Sequence, residues 1–150
     1  NNLLDIINEN IKLLKEIDNT INFNFKHSNK DVLFICDYEQ INRVFFNLIK
    51  NSIESIQERA SKNTDFAKKI DIEITIKNDY ITIIITDNGT GFSEKNLSNI
   101  LKPYFTTKSK GTGLGLSIVN KIISDHDGDI KFEQIKEGAK IIIKFQKNVH

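Results

Sequence analysis

Two successive segments, residues 70–77 and 80–86, constrain the fold more than any other feature of the chain. In the first segment four isoleucines alternate with polar residues, which is typical of a strand with one buried face: Ile70, Ile72, Ile74 and Ile76. The second segment, Tyr80 to Thr86, is nearly apolar on both faces, and Asn78-Asp79 between the two is a two-residue turn signal. The sequence therefore predicts a β-hairpin whose second strand is central in a sheet.

Length and composition narrow the class of protein. The chain has 150 residues, a common size for one domain with one core, and its 39% hydrophobic and 27% charged residues are ordinary for a globular protein. The longest apolar runs, such as Ile83 to Ile85, are far shorter than the roughly 20 residues that cross a bilayer, and no signal peptide is visible. A net charge of +1 argues against a nucleic-acid partner, and Cys36 with three scattered histidines does not make a zinc site.

The first segment of the chain has the spacing of apolar residues that forms one apolar stripe along a helix, which we call the seam. Its apolar residues lie at alternating spacings of three and four, namely Leu4, Ile7, Ile11 and Leu14. Two interpretations are open: a plain amphipathic helix on the domain's own core, or the end of a dimeric coiled coil. Because the chain contains no methionine, not even at position 1, we expect it to be an excised fragment.

The remaining patterns predict a two-layer α/β sandwich, in which about three helices pack on one face of a mixed, mostly antiparallel sheet. Asp37 followed by Gln40 is a capping box for a helix that runs to about Ala60. The other predicted elements are two short strands at Ile21–Phe25 and Val32–Cys36, a helix near Ser93–Leu101, a helix from about Leu114 to Asp125, and a hairpin of Asp129–Gln134 and Lys140–Gln146.

The segment Asp87-Asn88-Gly89-Thr90-Gly91 follows the predicted central strand directly, so its carboxylate is expected at the rim of the sheet and partly shielded from water. Gly89 and Gly91 permit positive φ and a close approach of backbone to a ligand. A shielded carboxylate can accept a charge-assisted hydrogen bond from an amino group such as that of adenine. The simpler alternative is a hairpin turn, since Asp-Asn-Gly is favourable turn chemistry.

Two further patterns suggest a phosphate site. Gly111, Gly113 and Gly115 alternate just before a predicted helix, where free amides and the positive helix end converge. From Leu101 to Gly115 the charged residues are three lysines and no acid. On the capping-box helix, Asn47 and Asn51 lie one turn apart, so their amide oxygens could share a magnesium ion, although exposed polar positions are the simpler explanation.

In their order along the chain, four segments resemble the N, G1, F and G2 boxes of sensor histidine kinases: residues 47–52, 87–91, 103–108 and 111–116. This is the catalytic, ATP-binding domain of the gyrase, Hsp90, histidine kinase and MutL superfamily, and the resemblance spans about Ile21 to Phe145. The stretch from Pro103 to Val119 is most similar to the nitrogen-regulation (NtrY-like) branch. The resemblance implies the Bergerat ATP-binding fold, with ATP and Mg²⁺ as cofactors.

The resemblance also implies residue roles. Asp87 would accept from the adenine amino group, Asn51 and Asn47 would hold Mg²⁺, and residues 101–110 would form the ATP lid. Catalytic roles are implied for Asn47 and Lys108. The implied nucleotide-binding residues are Asn51, Asp87, Gly89, Gly91, Thr107, Lys108, Lys110, Gly111, Thr112, Gly113, Leu114, Gly115 and Leu116. Two departures from the family pattern are Ser52 in place of the usual small Ala, and Glu54-Ser55 where many relatives place a basic and an aromatic residue.

The family's phosphoacceptor histidine is missing, because none of His27, His126 and His150 lies in a His-Glu/Asp box. The resemblance therefore implies a kinase that transfers phosphate to a histidine on a separate dimerisation domain, for relay to a response regulator. Residues 1–18 are expected to be the helical linker from that domain, and residues 19–150 the catalytic domain. We expect a cytoplasmic domain whose full-length parent is anchored in the bacterial inner membrane. The alternatives are a serine kinase of the anti-sigma-factor type and a nucleotide-sensing module without catalysis.

Overall fold

A computed structural model of the protein describes residues 1–63, 65–91 and 115–147. Within these ranges the chain forms three helices and five strands. In chain order they are α1 (Leu3–Leu14), β1 (Asn22–His27), α2 (Tyr38–Lys62), β2 (Lys69–Lys77), β3 (Tyr80–Asp87), α3 (Gly115–Asp125), β4 (Gly128–Ile135) and β5 (Gly138–Gln146). The helix expected near Ser93–Leu101 lies outside the described residues.

The five strands form one mixed sheet in the order β1-β2-β3-β5-β4. β1 runs parallel to β2, and the other neighbouring pairs are antiparallel. The hairpin of β2 and β3 turns at Asn78 and Asp79, whose φ angles of 51° and 64° are those of a type I′ turn. β3 occupies the middle of the sheet, as its two apolar faces predict. The predicted two-layer sandwich with a mixed, mostly antiparallel sheet is therefore confirmed.

Helix α2 begins and ends close to its predicted bounds. The Asp37 side chain caps it by accepting from the backbone N–H of Gln40 at 3.0 Å. The backbone N–H of Asp37 donates to Nε2 of His126 at 3.1 Å, which places the end of α3 against the start of α2. The apolar stripe of α2 then packs on the sheet and is buried: Ile41, Val44, Phe45, Leu48, Ile49, Ile53 and Ile56.

Helix α1 packs on the core of the domain. Leu4, Ile7 and Leu14 of its seam are buried in the same hydrophobic cluster as α2 and the sheet. Asn10, also buried, donates from its side chain to the side-chain oxygen of Asn42 on α2 at 2.9 Å. Of the two interpretations of the seam, the structure therefore shows the amphipathic helix on its own core. The division of the chain at residue 18, with residues 1–18 as the helical linker from a dimerisation domain, stays a prediction.

The strand predicted at Val32–Cys36 is wrong as a member of the sheet. This segment keeps the alternation of a strand, since Val32 and Phe34 are buried, but it forms only an isolated bridge between Asn2 and Leu33. Its backbone groups bond to the start of the chain, where Leu3 N–H donates to the Val32 carbonyl and Phe34 N–H donates to the Asn1 carbonyl, both at 2.8 Å. Residues 1–3 thus take the backbone hydrogen bonds of this segment, and β1 pairs with β2.

The last hairpin is confirmed with longer strands, Gly128–Ile135 and Gly138–Gln146. Ala139 of β5 lies opposite Asp87 of β3, and Ile70 of β2 lies opposite it on the other side. The sheet thus surrounds the last residue of β3 with neighbouring strands. Among the described residues, no helix combines the length and apolarity needed to cross a membrane.

Candidate functional site

Asp87 is the last residue of the central strand and is almost fully buried. Its side chain is only 4% exposed, because the alternation of β3 turns it to the same face as Ile83 and Ile85. The backbone N–H of Gly89 donates to Asp87 Oδ1 at 2.9 Å. An acidic side chain is rarely buried to this extent, so its position marks the strongest candidate for a functional group in the described residues.

Burial raises the pKa of Asp87 to about 6, because removal from water disfavours the ionised carboxyl. The amide of Gly89, and next to it the hydroxyls of Ser52 and Ser55 and the amide of Ala139, favour the ionised carboxyl and so offset part of this rise in the pKa. The site is thus a buried carboxyl surrounded by neutral donors. A group of this kind suits the recognition of a polar ligand atom from inside a cleft.

Asn88 ties the chain after Asp87 to the start of β2. Its side chain donates to the Ala67 carbonyl at 2.5 Å and accepts from the Lys69 N–H at 2.9 Å. Its own carbonyl accepts from the Arg59 guanidinium at 2.6 Å, and that guanidinium lies 3.9 Å from the ring centroid of Phe66. The segment 87–91 therefore does not form the hairpin turn that was its simpler alternative, since β3 pairs with β2 and β5.

The two glycines of this segment fit the close approach that the sequence predicts. A Cβ added at Gly89 would lie 2.5 Å from the backbone carbon of Ser55 and 2.7 Å from the Ile56 nitrogen, so the loop touches the backbone of α2. Gly91 has a φ of 75°, a left-handed conformation that favours glycine. Only glycine at position 89 lets the carboxyl of Asp87 and helix α2 come together.

Ser52 and Ser55 lie at the site, and neither had a predicted role in it. Ser52 is 3% exposed and lies on the buried face of α2, and Ser55 follows one turn later. Ser55 Oγ also accepts from the Thr90 N–H at 3.0 Å and lies 3.2 Å from the Thr90 hydroxyl. The signal in the sequence that could have indicated this role is the pair of serines at positions i and i+3, the first of which lies on an otherwise apolar face of the helix.

Asn47 and Asn51 lie on α2 and are partly exposed. Asn51 directly precedes Ser52, whose hydroxyl contacts Asp87, so the predicted metal ligands and the buried carboxyl occupy the same region of the domain. Amide oxygens are hard ligands of the kind that Mg²⁺ accepts. Within the described ranges, no group of three or more His, Cys, Asp and Glu residues could hold a metal ion.

Several predicted residues lie outside the described part of the chain: Thr107, Lys108, Lys110, Gly111, Thr112, Gly113 and Leu114. Two others are described. Gly115 begins α3 with no atom within 4 Å of an added Cβ, and Leu116 is partly buried against the core. The structure thus brings Asp87 and Gly89 beside the Asn51 region of α2, with Gly91 next to Gly138 of β5. The contact of each predicted residue with a nucleotide stays a prediction.

Comparison with known proteins shows which family model and which relatives the chain matches. Residues 36–149 match the family described as histidine kinase-, DNA gyrase B-, and HSP90-like ATPase. A Rickettsia conorii protein named as an NtrY-like sensor histidine kinase is 38% identical over 144 residues, which cover 95% of this chain and 23% of that protein. The chain therefore spans about a quarter of the length of the curated relatives that it matches first.

Solved structures show the same fold. The catalytic domain of histidine kinase ThkA superposes with a TM-score of 0.84 at 33% identity, covering 98% of this chain and 93% of that domain. A structure of ThkA in complex with the response regulator protein TrrA matches with a TM-score of 0.80 at 30% identity, covering 99% of this chain and 41% of that one.

Proposed function

Because the chain belongs to the family of histidine kinase-, DNA gyrase B- and HSP90-like ATPases, and has the fold of histidine kinase catalytic domains, we propose that it is the ATP-binding domain of a two-component sensor histidine kinase. It binds Mg-ATP and transfers the γ-phosphoryl group to a histidine on a separate dimerisation domain, for relay to a response regulator. One observation in the structure carries the proposal: the buried Asp87 carboxyl at the end of β3, facing α2.

Asp87 supplies the recognition of adenine. Its ionised carboxyl accepts a hydrogen bond from the exocyclic amino group, and a charge-assisted bond in a shielded site contributes about 1.5–3 kcal/mol. Gly89 keeps the loop against α2, so the carboxyl stays at the base of the cleft. Gly91 continues the loop with a backbone conformation that a residue with a Cβ would adopt only under strain.

Asn51, with Asn47 one turn before it, holds Mg²⁺ against the phosphates. Two amide oxygens are sufficient ligands, because Mg²⁺ keeps several waters and shares its remaining positions with phosphate oxygens. Lys108 and Lys110 neutralise phosphate charge, and the amides that lead into α3 at Gly115 and Leu116 bind phosphate oxygens at the positive end of the helix. The same cradle includes Thr107, Gly111, Thr112, Gly113 and Leu114.

Phosphoryl transfer requires positioning and charge neutralisation rather than covalent chemistry by the protein. Asn47 stands where hydrolytic members of the superfamily place a Glu that activates water, and an amide cannot act as a base at neutral pH. Asn47 therefore favours transfer of the γ-phosphoryl group to a nucleophile on another domain over hydrolysis of ATP.

The histidines that the structure describes support a nucleophile outside the chain. His126 Nε2 accepts from the Asp37 N–H, and its Nδ1 lies 2.8 Å from the Ile122 carbonyl, to which it donates. Both ring nitrogens of His126 thus stabilise the junction of α2 and α3. His27 lies at the exposed end of β1, with Nδ1 3.0 Å from the Asn29 carbonyl.

The partners follow from the same proposal. The dimerisation domain supplies the histidine, and the receiver domain of a response regulator takes the phosphate from it. The solved complex of ThkA with TrrA supports a regulator as partner. The parent is a sensor kinase, which the names of the relatives support. We propose that it is anchored in the bacterial inner membrane with this domain in the cytoplasm.

A phosphotransfer assay tests the proposal. The chain is mixed with the dimerisation domain of the same kinase and with γ-labelled Mg-ATP, and we expect acid-labile, base-stable label on that domain and none on this chain. Label on serine would indicate the anti-sigma-factor type of kinase. Nucleotide binding without any label would indicate a sensing module, and failure to bind Mg-ATP would contradict the site itself.

A further inference from the structure

His126 joins the end of α3 to the start of α2 through both nitrogens of its ring. Nδ1 lies 2.8 Å from the Ile122 carbonyl on α3, and Nε2 lies 3.1 Å from the backbone nitrogen of Asp37, the residue that caps α2. A carbonyl only accepts and a backbone N–H only donates, so Nδ1 carries the hydrogen and Nε2 offers the lone pair. The contact between the helices therefore requires the neutral ring in one tautomer.

The position of His126 is fixed from the side of α3. Its backbone N–H donates to the Ile122 and Ile123 carbonyls, both at 3.1 Å, so the residue closes the last turn of this helix. Its ring centroid lies 6.4 Å from that of Phe34, whose ring is 4.7 Å from the ring of Phe145 on β5. The residue is thus anchored on α3, and its bond to the cap of α2 connects the two helices.

This bond sets the position of α3 along α2. The two helices contact each other, and the buried residues of α3 belong to the same hydrophobic cluster as the apolar stripe of α2. Because the end of α3 meets the start of α2, the helices run antiparallel. α3 has 11 residues, so it extends about 16 Å back from His126, and the same length of α2 counted from Asp37 ends at Leu48.

Leu48 lies beside the residues to which the proposed function assigns the metal. Asn47 precedes it, and Asn51 follows it on the next turn of α2. Gly115, at the start of α3, is where the proposed function places amides that bind phosphate. The register of the two helices, meaning the position of α3 along α2, therefore sets the distance between the metal ligands and the phosphate-binding amides.

The titratable groups around the ring carry more negative than positive charge. On α2, on α3 and on the turn after it, they are Asp37, Lys121, Asp125 and Asp127. Lys121 pairs with Asp125 at 3.3 Å. Segment 32–36 adds the Cys36 thiol, whose pKa is raised by burial, and the amino terminus donates to the Phe34 carbonyl at 3.1 Å. Carboxylates are therefore the acceptors that this surrounding offers to a protonated ring.

We propose that His126 is a positioning residue, which sets the register of α3 on α2 in its neutral form and makes the binding of Mg-nucleotide sensitive to pH when it is protonated. The inference rests on the proposed function, because it requires that Asn47, Asn51 and the start of α3 act on the same phosphates. It assigns a role in the reaction to a histidine that is not the phosphoacceptor.

Protonation removes the lone pair that accepts from Asp37. An imidazolium has a hydrogen on each nitrogen, so Nε2–H would face the Asp37 N–H, and the two donors would move apart. Histidine is the side chain whose charge ordinarily changes between about pH 5 and pH 8. The ring can then turn to a neighbouring carboxylate, and α3 loses the bond that fixes its register on α2.

The test compares Mg-ADP with adenosine, because only the ligand with phosphates requires the register of the two helices. Both affinities are measured by NMR titration of the isotope-labelled chain between about pH 5.5 and about pH 7.5. The ratio of the two affinities cancels the effect of Asp87, whose pKa of about 6 bears on adenine in both ligands. The protonation of ADP itself is the same for every protein compared.

The proteins are the wild type, His126→Gln, His126→Ala and His27→Gln. Glutamine at position 126 can accept from the Asp37 N–H through its amide oxygen but does not take up a proton in this pH range. His27→Gln is the matched control, because this exposed histidine at the end of β1 bonds within its own turn, to the Asn29 carbonyl.

From the upper to the lower pH, we expect the Mg-ADP to adenosine ratio to fall about fivefold more in the wild type than in His126→Gln, the order of one lost hydrogen bond. His27→Gln should follow the wild type, and His126→Ala should have the low ratio at every pH. The ring nitrogen signals of His126 should show the Nδ1–H tautomer at the upper pH, and their change on protonation should follow the fall of the ratio.

The outcomes separate this inference from the proposed function. If the wild type binds Mg-ADP but its ratio changes with pH as that of His126→Gln does, the inference is overturned and the proposed function stands. A parallel loss of both ligands in His126→Ala would show a purely structural role, and an Nε2–H tautomer would exclude the bond to Asp37; either result overturns the inference. If the wild type binds Mg-ADP no more tightly than adenosine, the proposed phosphate and metal site fails together with the inference. Circular dichroism checks that each variant folds, and the ring signals of the wild type need no variant.

Discussion

Two aspartates that lie against α2, one at its start and one beside its second half, have opposite surroundings. Asp37 is exposed at the start of the helix, where its carboxylate accepts from the Gln40 N–H. Asp87 is 4% exposed beside the second half of the helix, and among the described residues the groups that favour its ionised carboxyl are amides and hydroxyls rather than cations. The first aspartate stabilises a helix in water. The second is held in a buried position that disfavours its ionised form, and we propose that a ligand takes its hydrogen bond.

The largest expected effect comes from removing the charge of each aspartate in turn, which tests whether the two carboxyls have different roles. Asp87→Asn keeps the shape but loses the charged acceptor, so we expect the affinity for ADP to fall roughly ten- to a hundredfold. Asp37→Asn is the matched control, since asparagine caps a helix equally well and position 37 is remote from the base. Calorimetric titration measures both. An unchanged affinity in Asp87→Asn would refute the adenine contact.

The second prediction concerns the pH dependence of stability. An acid whose pKa is higher in the folded than in the unfolded state stabilises the fold below its unfolded pKa, and this stabilisation is lost as pH rises through the folded pKa. For Asp87, with a folded pKa of about 6, the loss amounts to about 3 kcal/mol between roughly pH 4 and pH 7. Asp87→Asn should lack this component. Urea unfolding of both proteins across this range measures the difference, and parallel curves would contradict it.

Gly89→Ala tests the contact that brings the buried aspartate to α2. The new Cβ would lie 2.5 Å from the Ser55 backbone carbon, so the loop or the helix must shift. We expect a loss of about 1–3 kcal/mol in the free energy of unfolding, together with weaker ADP binding. Gly115→Ala is the control for the unfolding measurement alone, because the added Cβ has no neighbour within 4 Å there. Equal stability of the two variants would show that the contact is not tight.

The smallest expected effect is at the exposed aspartate. Asp37→Ala removes the side-chain cap of α2 and should cost about 1 kcal/mol in the free energy of unfolding, with the affinity for ADP unchanged. Denaturant unfolding and calorimetry measure the two quantities separately. If this variant lost nucleotide binding as strongly as Asp87→Asn, the distinction between a structural and a functional aspartate would be wrong.

The central hairpin and the capped helix could be predicted because their signals are local. Four alternating isoleucines, the turn Asn78-Asp79 and the cap Asp37 each specify a conformation within a few residues. The signal that predicted a shielded Asp87 directly after a buried strand was equally local, and the structure confirms that this side chain is buried there. The sequence thus supplied most of the fold and the main residue of the site.

Other features depend on partners far apart in sequence. Val32–Cys36 has the alternation of a strand, yet residues 1–3 take its backbone hydrogen bonds. The two bonds of His126, one of them to the cap of α2, could not be read from an Asp-His-Asp-Gly turn. Ser52 had no visible role until β3 placed a carboxyl against its helix.

The amino-acid sequence by itself determined which segments become strands and helices, and it ordered the motifs that identify the family, because periodicity, caps and turn residues act over short distances. Only the tertiary structure decided that β1 pairs in parallel with β2 and that two serines surround Asp87. The physical reason is competition: each backbone or side-chain group bonds to the partner that the packed chain brings near, and that partner is chosen by the whole fold.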